Sequence, residues 1–203
     1  AFPGDINGGL EDYTAAKLLE DIKGASCCID IHSSNIFLQE VPQVRLNDDY
    51  DEMLLHLAKY MNTDLVWIHP SQTVNEGSLA YALNQMGIPT MVTESGSAFR
   101  IRYEYCRQII DGIFSVMAEL GIWKGKTNGK TDVPFINEDK ICYLNCEFSG
   151  LFVSYKRLKD RVKKGEIIGI IQNPLMGVTE EEVIAPVDGI LMTLREHPSV
   201  AEG

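Results

Sequence analysis

Hydrophobic and polar positions along the first two thirds of the chain follow two alternating periods. Apolar residues at 15, 18, 19 and 22 within Leu10–Ile22 have the spacing of one helix face, and Gly24 closes that segment. Residues 26–31 (SCCIDI) form a short apolar run that predicts a buried strand ending at His32. Residues 50–61 read as an amphipathic helix, 64–68 as a strand, and 78–86 as a helix closed by Gly87. A third apolar strand, 88–93, ends at Glu94, and residues 103–120 give the longest helix, stopped by Gly121. Strands alternating with helices predict an α/β domain, a sheet flanked by helices. Residues 123–132 (WKGKTNGKTD) are then polar and turn-rich, the composition of a linker. Short strand candidates follow at 140–148, 151–155, 166–172, 182–185 and 190–194, with no helical pattern among them. The expectation is an α/β core over residues 1–125 and a smaller all-β module over 133–203.

The 203 residues are 45% hydrophobic and 23% charged, which is ordinary globular composition. A net charge of −11 argues against nucleic acid as a partner. The nearest thing to a basic stretch, 156–164, mixes Lys and Arg with Asp and reads as solvated surface. No apolar run approaches the ~18 residues of a membrane-spanning helix, so no membrane partner is expected. Five cysteines, at 27, 28, 106, 142 and 146, are an odd number. Cys27 and Cys28 lie in an apolar run, which suits buried thiols and a reducing, cytoplasmic setting. Cys142 and Cys146 lack the second Cys/His pair of a structural zinc site.

Chemistry enters at two strand ends. His32 closes the run Cys28 to Ile31, and Glu94 closes Met91 to Thr93. Ligands of open α/β sheets bind at the carboxyl ends of strands, so these two residues can converge although they are distant in sequence. Metal-assisted hydrolysis uses such a pair: a neutral imidazole ligates Zn²⁺, and a carboxylate takes a proton from the activated water. Asp30, two residues before His32, shares its side of the strand and is placed to orient the imidazole. A hydrogen-bonded structural histidine and a surface glutamate fit the same spacing, and the spacing alone does not choose.

Four segments, in order, carry a resemblance. Phe2-Pro3-Gly4-Asp5 comes first, then Asp30-Ile31-His32-Ser33, then Gly87-Ile88-Pro89 leading to Thr93-Glu94-Ser95-Gly96. Val162-Lys163-Lys164-Gly165-Glu166 with Ile168-Gly169, followed by Ala185-Pro186-Val187-Asp188-Gly189, completes the set. Together they resemble the succinylglutamate desuccinylase/aspartoacylase family of zinc carboxypeptidase-like deacylases. The resemblance implies a zinc carboxypeptidase-like sheet with a β-rich C-terminal module and zinc as cofactor. It implies His32 as a metal ligand and Glu94 as the catalytic general base. The implied reaction is hydrolysis of an amide or ester bond in a small N-acylated, carboxylate-bearing substrate.

The family's first two zinc ligands lie in a His-x-x-Glu motif upstream of the FPGD segment, as does an Asn-Arg pair associated with substrate binding. Neither is in this chain: His56 is followed three residues on by Lys59, and His69 by Gln72. The expectation is a sequence lacking its N-terminal portion, inactive by itself because a catalytic zinc takes three protein ligands.

Other residues carry double readings. Arg100 and Arg102 follow the Glu94 segment and are candidates to clamp a substrate carboxylate, or surface arginines at a helix start. Asn75, Glu76 and Gly77 precede a helix whose N-cap would be Ser78, and Ser33, Ser34 and Asn35 sit beside His32 in a turn. His69 ends a strand and is a candidate border of a pocket, whereas His197 reads as structural. The β module also resembles half of a biotinyl or lipoyl carrier domain, but its strand 190–194 holds no lysine to carry a cofactor. The module is instead expected to restrict access to the pocket or to support homo-oligomer contacts. The rival to the enzyme is a non-catalytic relative of the same fold that binds a small molecule or a partner.

Overall fold

A computed structural model describes residues 1–48, 51–70, 76–130 and 132–203. The chain forms two compact units. The first comprises Ala1–His32, Pro42–Glu94 and Tyr103–Lys140, and the second Ser33–Val41, Ser95–Arg102 and Ile141–Gly203.

In the first unit, α1 (Leu10–Ile22) leads to strand β1 (Cys28–His32). Strand β2 (Leu38–Asn47) enters this unit at Pro42 and is followed by α2 (Glu52–Ala58), β3 (Leu65–His69) and α3 (Leu79–Gln85). Strand β4 (Thr90–Gly96), α4 (Tyr103–Glu119) and β5 (Phe135–Asn137) complete it. The sheet order is β1-β4-β2-β3-β5, and the β1–β4, β2–β3 and β3–β5 pairs are parallel.

Strand side chains alternate between faces, and the two faces bury different partners. Ile29, Val44, Leu46, Val66 and Met91 pack with Leu54, Leu57 and Ala58 of α2 and with Ile109 and Val116 of α4. On the opposite face Cys28 packs with Leu19 of α1 and Ala82 and Leu83 of α3. Leu57, Met61, Val44, Val66 and Met91 are 0–1% exposed. Burying each such side chain stabilises by about 1.5–3 kcal/mol. An α/β sheet covered on both faces by helices is the predicted architecture.

Local signals account for the element ends. Gly24 takes φ +88 just past α1, a left-handed conformation that suits glycine. Asp51 and Ser78 cap α2 and α3 by accepting from Met53 N and Tyr81 N. The helix expected over 50–61 is shorter at both ends, and Tyr50 lies outside the described residues. β4 runs from Thr90 to Gly96, two residues beyond the expected end at Glu94.

The second unit holds an antiparallel sheet of order β12-β6-β8-β9: β6 (Gly150–Ser154), β8 (Ile167–Gln172), β9 (Thr179–Ile184) and β12 (Ser199–Val200). A two-stranded pair joins β7 (Arg161–Val162) to β10 (Gly189–Ile190). β11 (Thr193–Arg195) pairs with residues 38–40 at the start of β2. Val162, Ile168 and Ala185 form the small core of this unit. The strand expected over 140–148 is absent. Lys140 closes a 3-10 turn, and Tyr143 and Leu144 are exposed in a stretch that pairs with no described strand. The strand expected over 190–194 is divided between β10 and β11, each with its own partner.

Candidate active site

The site follows from strand parity. Cys28 faces α1 and α3, so Asp30 and His32, at even spacing from it, project to that same face. Met91, Val44 and Val66 face α2 and α4. Glu94, Arg45, Asn47, Trp67 and His69 stand at odd spacing from those residues and so share the face of His32. Register then gathers them: His32 is paired across the sheet with Glu94, and Asn47 with His69. His32, Arg45, Asn47, His69 and Glu94 all line one cavity of about 450 Å³, closed on the helical side by Ser78, Tyr81, Asn84 and Gln85 around α3.

Asn84 fixes α3 to the sheet beneath this cavity. Its amide nitrogen donates to Thr90 O at 3.1 Å and its oxygen accepts from Thr90 N at 2.8 Å. Gly87, at φ +75, lets the chain reverse between α3 and β4 and sets the start of the strand that carries Glu94.

His32 sits between two carboxylates. Its Nε2 lies 3.1 Å from Asp30 Oδ2, and its Nδ1 lies 3.8 Å from Glu94 Oε1. Glu94 is 8% exposed, and its Oε1 is also 3.6 Å from Nη1 of Arg45. A buried carboxylate is tolerable only with such partners. The Arg45 guanidinium stands 5.4 Å from the Trp67 ring centroid, and the Trp67 indole donates to Glu138 at 3.1 Å. His69 stacks on Trp67 with ring centroids 3.9 Å apart. Burial, with the charge of Arg45 next in size, holds the His69 imidazole below its ordinary pKa despite Glu138. His69 is therefore neutral at pH 7, and its Nε2 is buried with no hydrogen-bond partner among the described residues.

The structure thus brings together His32, Glu94 and Asp30, and places His69 on the same cavity. Arg100 and Arg102 lie in the second unit, where their guanidinium groups are 3.8 and 3.4 Å from Glu196. In that unit His197 packs edge-on against Phe37 at 5.8 Å. Ser78 lines the cavity as well as capping α3, while Asn75 falls outside the described residues. Arg45 and Asn47 were not visible to sequence reasoning, because β2 itself was not. The signal that finds them is the alternation Val44, Arg45, Leu46, Asn47, apolar residues on one face and polar on the other.

The donor chemistry fits zinc in part. An imidazole braced by a carboxylate is a common zinc-ligand arrangement, and Glu94 stands beside its other nitrogen. Among the described residues no group of three His, Cys, Asp or Glu side chains is arranged to hold a metal ion.

No family model and no curated protein matches this chain. Solved structures do. A succinylglutamate desuccinylase from Silicibacter sp. TM1040 superposes with TM-score 0.85 at 23% identity, over 100% of this chain and 63% of that one. The product-bound ectoine utilization protein EutE (DoeB) from Ruegeria pomeroyi gives 0.82 at 21% identity, with the same two coverages. A succinylglutamate desuccinylase/aspartoacylase from Rhodobacter sphaeroides gives 0.81 at 20%, again over 100% and 63%. The chain therefore has the fold of these proteins and spans less than two thirds of their length.

Proposed function

We propose that this chain belongs to a zinc-dependent deacylase of the succinylglutamate desuccinylase/aspartoacylase kind, hydrolysing a small N-acylated, carboxylate-bearing substrate. The observation that carries the reading is the pairing of His32 with Glu94 across β1 and β4, with both side chains on one cavity. The ordered motifs and the shared fold support it.

His32 would hold the metal through Nδ1, because Asp30 engages Nε2 and aims the ring. Zinc, when bound, acidifies water and polarises the acyl carbonyl. Glu94 acts as the general base. Its carboxylate accepts a proton from the attacking water and passes it to the leaving nitrogen or oxygen as the carbon–heteroatom bond breaks. Such proton transfer contributes about 10²–10⁴-fold. The Arg45 guanidinium stands 3.6 Å from the Glu94 carboxylate and restricts how it turns, and Trp67 holds Arg45 in turn. By themselves the 203 residues, supplying one imidazole ligand, are expected to bind catalytic zinc weakly and to turn over nothing.

The test is amine release from a panel of N-acetyl and N-succinyl amino acids, using the protein expressed from its complete reading frame with and without a zinc chelator. Hydrolysis that the chelator abolishes and added zinc restores is the expected result. A zinc-loaded protein that releases no amine from any of them would favour the non-catalytic binder.

The fold also bears on setting: no helix among the described residues is long and apolar enough to cross a membrane. We infer a cytoplasmic enzyme that works on a small molecule. The second unit is proposed to limit access to the cavity or to join copies of the chain.

A further inference from the structure

We propose that Arg45, Asn47 and His69 form a carboxylate-binding subsite beside Glu94, which takes the anionic end of an acylated substrate while its acyl group lies against His32 and Glu94. The word substrate rests on the hydrolase reading above, whereas the binding claim is tested separately from it.

The three residues are neighbours by construction. Arg45 and Asn47 project from the cavity face of β2, and Asn47 is the cross-strand partner of His69. Arg45 is the only Arg or Lys among the described residues lining the cavity. Its planar fork of donors matches the two oxygens of a carboxylate, and the Trp67 face and the Glu94 contact restrict how it can turn.

His69 contributes a different property. Kept neutral by burial and by Arg45, it offers one donor and one acceptor and adds no charge to the wall. Its Nε2 is buried with no hydrogen-bond partner among the described residues, and the ring itself lines the cavity. Asn47 adds an amide able to donate to the same group. Among the described residues the other carboxylate on the wall besides Glu94 is Asp51, which accepts at the start of α2 from Met53 N at 2.7 Å. The acyl end and the anionic end of a ligand thus find opposite chemistry a few side chains apart, at His32–Glu94 and at Arg45–His69.

The test compares two probes, N-acetylglycine and N-acetylglycinamide, which differ in carrying a carboxylate or a neutral amide. Binding is measured by ligand-observed NMR or calorimetry in a Glu94→Gln protein, where the competing carboxylate is gone. N-acetylglycine is expected to bind about tenfold tighter than its amide, and Arg45→Gln in that background is expected to erase the preference. Arg45→Lys should keep part of it, since the charge remains without the fork. Should Arg45→Gln fail to fold, His69→Gln carries the test and should cut the preference by roughly threefold. No preference in the Glu94→Gln protein, or one that survives these changes, overturns the subsite. An Arg45-dependent preference in a protein that hydrolyses no acylated amino acid leaves the subsite intact and overturns the hydrolase reading instead.

Discussion

Gly112 is where the closest approach between two helical segments can be turned into a measured number. It is buried in α4, and a Cβ added to it would lie 1.9 Å from Met61 O and 2.4 Å from Met61 C, in the backbone that leaves α2. Ordinary contact begins near 3.4 Å, so Gly112→Ala forces α4 and this segment apart by more than 1 Å. Alanine gains about 1 kcal/mol of helix propensity over glycine, and that gain sets a floor under the steric cost. Overpacking in cores costs typically 1–3 kcal/mol, and a clash with backbone relaxes less readily than one with a side chain. The net expectation is about 2 kcal/mol of destabilisation, or a Tm lower by roughly 4–8 °C for a chain of this size. Urea or thermal unfolding followed by circular dichroism measures it. His32 and Glu94 project from the opposite face of the sheet, so the KM of the protein expressed from its complete reading frame should be unchanged below the transition. A Gly112→Ala protein as stable as the wild type would refute the packing argument.

Further outcomes follow from the same structure. Asp30→Asn, which keeps shape but removes the charge beside His32 Nε2, should weaken metal binding about 10–100-fold without changing the melting temperature much, as a metal-buffered titration would show. An unaltered affinity would mean Asp30 does not brace the ligand. Burial pushes the Cys27 thiol up to about 11, so on the order of 10⁻³ of it is thiolate at pH 8. Mass spectrometry after native alkylation should find exposed Cys106 and Cys142 labelled well before Cys27. Equal labelling would place Cys27 in an open environment. On the α2–α4 surface, His56 Nε2 stands 2.6 Å from Glu119 Oε1 and holds that carboxylate below its ordinary pKa. A depressed folded pKa gives stability that is present above the unfolded value and disappears as pH falls through the folded one. Melting curves of His56→Ala and wild type should therefore differ at neutral pH and converge in acid; a gap that persists in acid would point to packing instead.

How much of this was legible in the sequence depended on how cleanly each element kept its period. α1 was read to the residue, because its apolar stripe at Ala15, Leu19 and Ile22 is followed by Gly24. β1 and β4 announced themselves as apolar runs. β2, the ten-residue strand between β4 and β3, did not. Its sequence, LQEVPQVRLN, holds a proline and two charged residues, which ordinarily argues against an inner strand. The structure buries Glu40 at 5% exposure together with Pro42 and Gln43, leaves Arg45 part-exposed on the cavity, and has the Pro42 carbonyl accept from Asp64 N. Tertiary partners overrode propensity there, and with the strand went Arg45, whose role needs a neighbour two strands away in the chain. His32 and Glu94 were legible as residue types at strand ends and through the motifs around them. That they could converge on one cavity followed from their places at strand ends, and the structure bears it out; the register between β1 and β4 that does it is encoded by no spacing along the chain. The burial of His69 against Trp67 was equally invisible, being a property of its surroundings and not of its sequence.

The central claim is that Glu94 deprotonates water beside a metal that His32 helps to hold. Zinc content and kcat, measured together on wild type, Glu94→Gln and His32→Ala expressed from the complete reading frame, address it most directly. Glu94→Gln should retain zinc while kcat falls about 10²–10⁴-fold, and His32→Ala should lose the metal and with it the activity. A Glu94→Gln protein that turns over at the wild-type rate, or a His32→Ala protein that keeps its zinc, would contradict the account.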